Sequence, residues 1–291
     1  MKPLSSSLKG SLFMLLAATL WSLGGLLSKA IPFNALTISL VRGLLAAFMI
    51  GIVKGSFTLK INRYNVFSGF FMFLTTVLFI SANKLTSAAN AIMLQYTSIL
   101  FIILLNQLFY RLKPHPIERR TFFIVLVGML LFFFQDIQLD AQIGNLLALG
   151  SGLSFAFVFV LNKHPLVEPL ESTYLGQLMS IVLLPMLWLD TTLTFEAVPW
   201  ILLIFMGIVQ LGLGYVFFAK GIQLISALSA NLITTIEPIL NPIWVFFILG
   251  ESIHVNSILG GAIIIGAIGW MNISITSVNK QTILLEKEGH A

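Results

Sequence analysis

Ten apolar runs of bilayer-spanning length, separated by short charged gaps, set the first constraint on this chain. They cover roughly residues 9–29, 33–53, 64–83, 86–110, 119–135, 143–163, 172–190, 197–219, 224–249 and 254–275. A helix needs about 20 apolar residues to cross the hydrocarbon of a membrane. Inside lipid each backbone N–H and C=O must be satisfied within the segment, so runs of this length are helices. Composition agrees: 58% of the 291 residues are apolar and 9% are charged, against about 25% charged in soluble domains. Lys2 and Lys9 precede the first run as they would a signal peptide. The run from Gly10 to Ser28 is longer than a signal core, so it reads as the first span.

Lysine and arginine test the count. With the N-terminus in the cytoplasm, that side carries Lys2, Lys9, Lys54, Lys60, Arg63, Arg111, Lys113, Arg119, Arg120, Lys163, Lys220, Lys280 and Lys287. The opposite side carries only Lys29 and Lys84, and Arg42 lies within the second run. This is the positive-inside pattern, and it places both termini in the cytoplasm. One span more or fewer scrambles it. The net charge of +5 therefore orients the chain and does not point to nucleic acid.

The two halves repeat. Residues 10–29 align without gaps on 144–163, with Gly10, Leu12, Leu15 and Lys29 recurring as Gly144, Leu146, Leu149 and Lys163. Residues 85–91 align on 224–230 in the same way. Five spans per half is an odd number, so the second copy crosses in the opposite sense. The expected fold is an all-α membrane protein with ten transmembrane helices in two inverted five-helix repeats. The repeats occupy 1–137 and 138–276, followed by a polar cytoplasmic tail at 277–291. Inverted repeats are the architecture of alternating-access carriers, whose site lies near midplane between the repeats.

The ninth run carries the most informative residue. Glu237 sits near the middle of a segment long enough to cross the bilayer, where an ionisable group is expensive. On a helical wheel Asn231, Thr234, Thr235, Glu237, Pro238 and Asn241 share an arc of about 160°. Such an arc faces other helices or a water-filled cavity. Pro238 removes one backbone N–H and exposes a carbonyl one turn earlier, which in a cavity can bind a ligand. The alternative is that the polar arc only holds helices together. Burial disfavours the charged form of a carboxyl, so Glu237 is also a candidate carrier of a coupling proton.

Other runs add candidates. Arg42 lies about 13 Å and 18 Å from the two ends of its run, beyond easy snorkelling. It can bind a substrate carboxylate or pair inside the bundle with Glu237 or carbonyls. Trp21 is too deep for an interfacial tryptophan and reads as core packing or as a cavity wall. In the fourth run, Asn90 and Tyr96 are the candidate cavity contacts. Gln177, Gln210 and Tyr215 are weaker candidates. The glycines near 260–269 read as a packing seam, and Pro185 and Pro242 as kinks.

Several chemistries find no footing. There are no cysteines, hence no disulfide or zinc–thiolate chemistry. The four histidines lie far apart in gaps or tail, without metal-ligand spacing. No Gly-x-x-x-x-Gly-Lys-Ser/Thr loop, His-Glu-x-x-His or Gly-x-Ser-x-Gly occurs. No cofactor, metal site or catalytic residue is expected.

The residues Leu20, Trp21 and Arg42 also carry a resemblance. So do Phe217, Gly221, Ile222 and Gln223 ahead of the ninth run, Glu237-Pro238 within it, Gly250-Glu251 at its end, and Gly260 and Gly266 in the last. With them the chain resembles the drug/metabolite transporter superfamily, in its EamA-like branch, from about 9 to 275. The first half departs at Ile99, where proline is usual, and at Arg111-Leu112, where Gly-Glu is usual. The Glu-Pro role therefore passes to the second half only. The resemblance implies ten helices around a central cavity and export or exchange of a small metabolite. The expected partners are a small-molecule substrate, an amino acid or related amphipathic compound, the lipid bilayer, and a coupling proton. Oligomeric state is not fixed by these features. A membrane-embedded enzyme or lipid-handling protein, and a passive channel, are the competing classes.

Because the chain lacks cysteine, single cysteines report sidedness directly. A membrane-impermeant maleimide should label Glu196→Cys in intact cells, and Lys113→Cys only after permeabilisation.

Overall fold

The computed structural model describes residues 5–132, 141–249 and 255–288, and all regular structure among them is helical. Helix α1 spans Ser6–Ala30, α2 Ala35–Lys54, α3 Arg63–Leu85 and α4 Ala88–Tyr110. Helix α5 is Pro116–Phe132 and α6 Gln142–Leu161. Helix α7 begins as Pro169–Leu178, tightens to a 3₁₀ segment at Met179–Leu183 and resumes at Met186–Leu189. Helix α8 spans Ala197–Ile222, α9 comprises Ala227–Thr234 and Ile236–Leu249, and α10 is Val255–Glu288. Seven of these, α1–α4, α6, α8 and α10, contain a stretch long and apolar enough to cross a membrane. The last helix runs on through the polar segment expected to be a tail, since nothing between Gly269 and Glu288 is a glycine or proline that would end it.

Local chemistry explains the starts and stops. Asn34, Asn62, Ser87 and Ser226 each accept a backbone N–H with their side chains at the N-caps of α2, α3, α4 and α9. Gly55, at φ 73°, closes α2 in the left-handed conformation. Large apolar side chains such as Leu108, Phe123, Leu146, Trp188 and Ile273 point outward. Asn, Thr, Gln, Arg42 and Glu237 lie buried within. That distribution inverts the soluble pattern and suits a lipid surround.

The alignment of the halves carries over into contacts. Helix α1 packs on α8, and its counterpart α6 packs on α3. Helix α2 packs on the middle of α8, and its counterpart α7 packs on α3. Helices α5 and α10, counterparts of each other, pack together. Finer features exchange as well. A Cβ on Gly10 would lie 2.8 Å from the Leu224 Cβ, and one on Gly144 would lie 3.0 Å from the Thr86 Cβ. The Lys29 ammonium donates to the Thr86 carbonyl at 2.8 Å, and the Lys163 ammonium to the Ile222 carbonyl at 3.0 Å. Each lysine thus satisfies a carbonyl at the end of a helix hairpin within its own half. Helices α4 and α9 break at Tyr96 and Thr235, positions that the same alignment pairs.

Small residues set how closely the helices approach. At the α3–α7 crossing a Cβ on Gly176 would fall 2.6 Å from the Gly69 carbonyl oxygen. On α10 the expected seam divides. The Gly260 carbonyl lies 3.1 Å from where a Cβ on Gly128 of α5 would sit, whereas Gly266 and Gly269 face open space. Adding bulk to a packed interior costs about 1–3 kcal/mol. Gly176→Val should lower the Tm in detergent accordingly, while Gly266→Ala should leave it unchanged.

Candidate functional site

Four interruptions of regular helix converge on one place. Helix α1 breaks just after Trp21, at Ser22 and Leu23. Helix α4 breaks just after Gln95. Helix α8 widens into a π segment, Met206–Leu213, that carries Gln210. Helix α9 breaks at Thr235, two residues before Glu237. Irregular backbone inside a membrane is tolerated where it is buried in protein or lines a cavity, and π segments concentrate at functional sites. Here the residues beside the breaks, Trp21, Gln95, Gln210 and Glu237, line a single internal cavity together with Arg42 and Tyr215. Thr75, Thr76, Phe79 and Phe155 complete much of the wall. A water-sized sphere can be centred in about 40 Å³ of it, room for about two or three waters.

An aromatic cluster makes one side. The Trp21 ring lies 5.1 Å from Tyr215, 5.8 Å from Phe155 and 5.9 Å from Phe218 between centroids, distances at which aromatic pairs attract. Gly214 makes room for the indole, because a Cβ there would lie 2.4 Å from Trp21 Nε1. Trp21 is therefore both packed core and cavity wall. The polar side is under-satisfied. Trp21 Nε1, Arg42 Nε and Gln210 Oε1 are buried without a hydrogen-bond partner among the described residues. Gln210 Nε2 donates to the Trp21 carbonyl at 3.2 Å, at the break in α1. Among the described residues neither Arg42 nor Glu237 closes an ion pair within 4.0 Å. A guanidinium with an unsatisfied N–H and no close carboxylate, buried to 2% exposure, is chemically poised for an anion.

Glu237 is held from α4. The Tyr96 hydroxyl lies 2.9 Å from Glu237 Oε2 and donates at 2.5 Å to the Thr234 carbonyl. That carbonyl stands four residues before Pro238, whose missing N–H leaves it open. The Thr234 and Thr235 hydroxyls instead bond back to Asn231 and Leu232 of their own helix. Ser98 donates to Asn231 Oδ1 at 3.2 Å. So Tyr96, Asn231, Thr234 and Pro238 build the α4–α9 junction behind Glu237, and do not themselves line the cavity. Asn241 lies on α9, and its side chain falls outside the described residues, as do Pro242, Gly250 and Glu251.

Asn90, expected in the cavity, sits elsewhere. Its amide donates to Thr86 Oγ1 at 3.0 Å and to Asn145 Oδ1 at 2.5 Å, joining α4 to α6. Helical periodicity places a residue on a face but not at a depth, and Asn90 lies in the first turn of α4, more than one turn before its break. Gln95 lines the cavity although the helical wheel sets it off the polar face that Asn90 shares with Thr97 and Ser98, and Thr75 and Thr76 line it as ordinary intrahelical polar residues by pattern. Gln210 and Tyr215 turn out central.

A second, larger cavity of about 480 Å³ opens where α1 and α5 begin. Lys113, His115, Glu118, Lys163, Gln223 and Asn272 are among its lining residues. Glu118 is committed there, accepting from the Ser226 hydroxyl, from Ser229 Oγ at 2.8 Å and from the His115 N–H at 3.0 Å. It thereby anchors the N-terminus of α9. Helices α1 and α9 line both spaces, with buried Met14 and Ala18 between them on α1.

Comparison with known proteins places this geometry. Residues 8–134 and 142–273 each match the model of the EamA-like transporter family. An uncharacterized transporter of Archaeoglobus fulgidus is 29% identical over 204 residues, covering 68% of this chain and 72% of its own length. The uncharacterized transporter YxxF of Bacillus subtilis is 25% identical over 179 residues, covering 58% and 57%. A solved crystal structure superposes with a TM-score of 0.73 over 89% of this chain and 95% of its own, at 17% identity, a likeness of fold.

The cavity wall makes a prediction about Gly214. Gly214→Ala should destabilise the protein by about 1–3 kcal/mol through overpacking. Combined with Trp21→Ala it should cost less than the sum of the two single losses, as read from Tm values in a double-mutant cycle.

Proposed function

The chain belongs to the EamA-like transporter family and is a multi-pass membrane transporter of the cell membrane, and from that premise we propose a secondary carrier that exports or exchanges a small carboxylate-bearing metabolite by alternating access. An amino acid or a related amphipathic compound fits best. The observation that carries the reading is the central cavity, where Arg42, its Nε without a partner among the described residues, and the carboxyl of Glu237 face one space at the breaks of four helices. Arg42 takes the substrate carboxylate in a planar, charge-assisted grip. Glu237 takes either the substrate amine or a coupling proton. The aromatic wall of Trp21, Tyr215 and Phe155 covers the apolar part.

The reading has ten crossings in two inverted repeats, 1–137 and 138–276, with both termini in the cytoplasm. The charge bias and the exchange of contacts between halves support it. So do the two separate matches to the family model. In this arrangement the larger cavity beside Lys113 and Glu118 lies on the cytoplasmic side, with buried Met14 and Ala18 of α1 between it and the central cavity. A central cavity of this small size supports a carrier whose halves move to load it over an open channel. Among the described residues the central site offers no paired nucleophile and base, which counts against an enzyme.

Counterflow of labelled amino acids into proteoliposomes tests the proposal. Wild type should show saturable exchange. Arg42→Leu should lose about tenfold or more in apparent affinity, as expected for deletion of a buried charge-assisted contact. Glu237→Gln should lose exchange or its pH dependence. Unsaturable flux without counterflow would sink the carrier reading.

A further inference from the structure

The broken helices α4 and α9 meet at one phenol. Tyr96 sits at the break of α4, 2% exposed. Its hydroxyl stands 2.5 Å from the Thr234 carbonyl and 2.9 Å from Glu237 Oε2. A phenol has one proton, so it donates to one of these oxygens at a time. Two bookkeepings of protons are then open to the junction. With Glu237 protonated, its O–H donates to the Tyr96 oxygen, and Tyr96 donates to the Thr234 carbonyl. All three groups are satisfied in one directed chain. With Glu237 ionised, the carboxylate can only accept. Tyr96 must turn to it and abandon the Thr234 carbonyl, or keep the carbonyl and leave the carboxylate without its donor. Pro238 supplies no N–H to the carbonyl in either case, and there is no water in hydrocarbon to replace it.

We propose that Tyr96 is a positioning residue that ties the proton on Glu237 to closure of the α4–α9 junction. This rests on the carrier reading, and it assigns Glu237 to the coupling proton, leaving Arg42 as the group that holds the substrate. Among the described residues the other charged or titratable groups facing the same cavity are Arg42 from α2 and Tyr215 from α8. Arginine stays charged and tyrosine stays neutral around pH 7, so Glu237 is the member of this set whose proton count changes. Loss of that proton frees the second half of α9, Ile236–Leu249, from α4. Helices α4 and α9 are the two elements that the alignment of the halves pairs, and their breaks place Gln95 and Glu237 on the central cavity.

The chain has no native cysteine, so spin labels at Leu108→Cys on α4 and Phe247→Cys on α9 can report the junction without any substrate. The distance distribution is measured in lipid nanodiscs in mildly acidic and mildly alkaline buffer. The labelled parent should hold a narrow distribution in acid and shift or broaden in alkali. Glu237→Gln should keep the acid distribution in both, because its amide donates to Tyr96 as the protonated carboxyl does. Tyr96→Phe should give one distribution in both buffers. A Tyr96→Phe protein that keeps the parent's pH response overturns the proposal, as does a Glu237→Gln protein that still responds. Because this readout is independent of exchange, a protein that transports normally but fails here refutes the junction alone. One that switches here but never exchanges refutes the carrier reading alone.

Discussion

A backbone carbonyl released inside a bilayer has no water to turn to. Much of this structure follows from that constraint. Pro238 releases the Thr234 carbonyl, and Tyr96 reaches across from α4 to cover it. The break in α1 presents the Trp21 carbonyl, and Gln210 from the π segment of α8 covers that. The hairpin ends at Thr86 and Ile222 expose carbonyls that Lys29 and Lys163 cover with their ammonium groups. In each case a side chain from another helix completes what the helix left open. The breaks therefore act as joints between helices and not only as local defects.

Joints of this kind also explain why the polar residues gather as they do. Side chains committed to covering carbonyls or to one another, such as Asn90 with Thr86 and Asn145, hold the bundle. Among the described side chains left with an unmatched atom, Trp21, Arg42 and Gln210 share the central cavity, whereas Thr37, Asn83, Gln177, Ser180 and Asn231 lie outside its lining. At the cavity, an unmatched buried donor such as Arg42 Nε is pre-oriented for an anion without reorganisation. Close helix approach at Gly69 and Gly176, and at Gly10 and Leu224, supplies the rigid frame that keeps those atoms apart.

Much of the fold was legible from the chain. Apolar run length located the helices, because bilayer thickness dictates it. The recurrence of Gly10 and Lys29 as Gly144 and Lys163 anticipated pairs of contacts that the two halves do make. Pro238 announced an open carbonyl one turn earlier in α9, the one that Tyr96 covers. The breaks in α1 and α4 and the π segment of α8 carry no proline, so periodicity ran straight through them. Glu118, which anchors the start of α9, was invisible because its partners are serines more than a hundred residues away.

The sequence by itself determined that this is a helical membrane protein with a costly carboxylate and a costly guanidinium in its interior. Hydrophobic length and charge placement are one-dimensional quantities and can be counted along the chain. Only the tertiary structure decided that Arg42 and Glu237 share one cavity without pairing, that Tyr96 stands behind Glu237, and that Asn90 belongs to an interface. Those are matters of depth and of which helix lies opposite. They depend on packing between segments far apart in sequence, and no pattern within a single helix contains them.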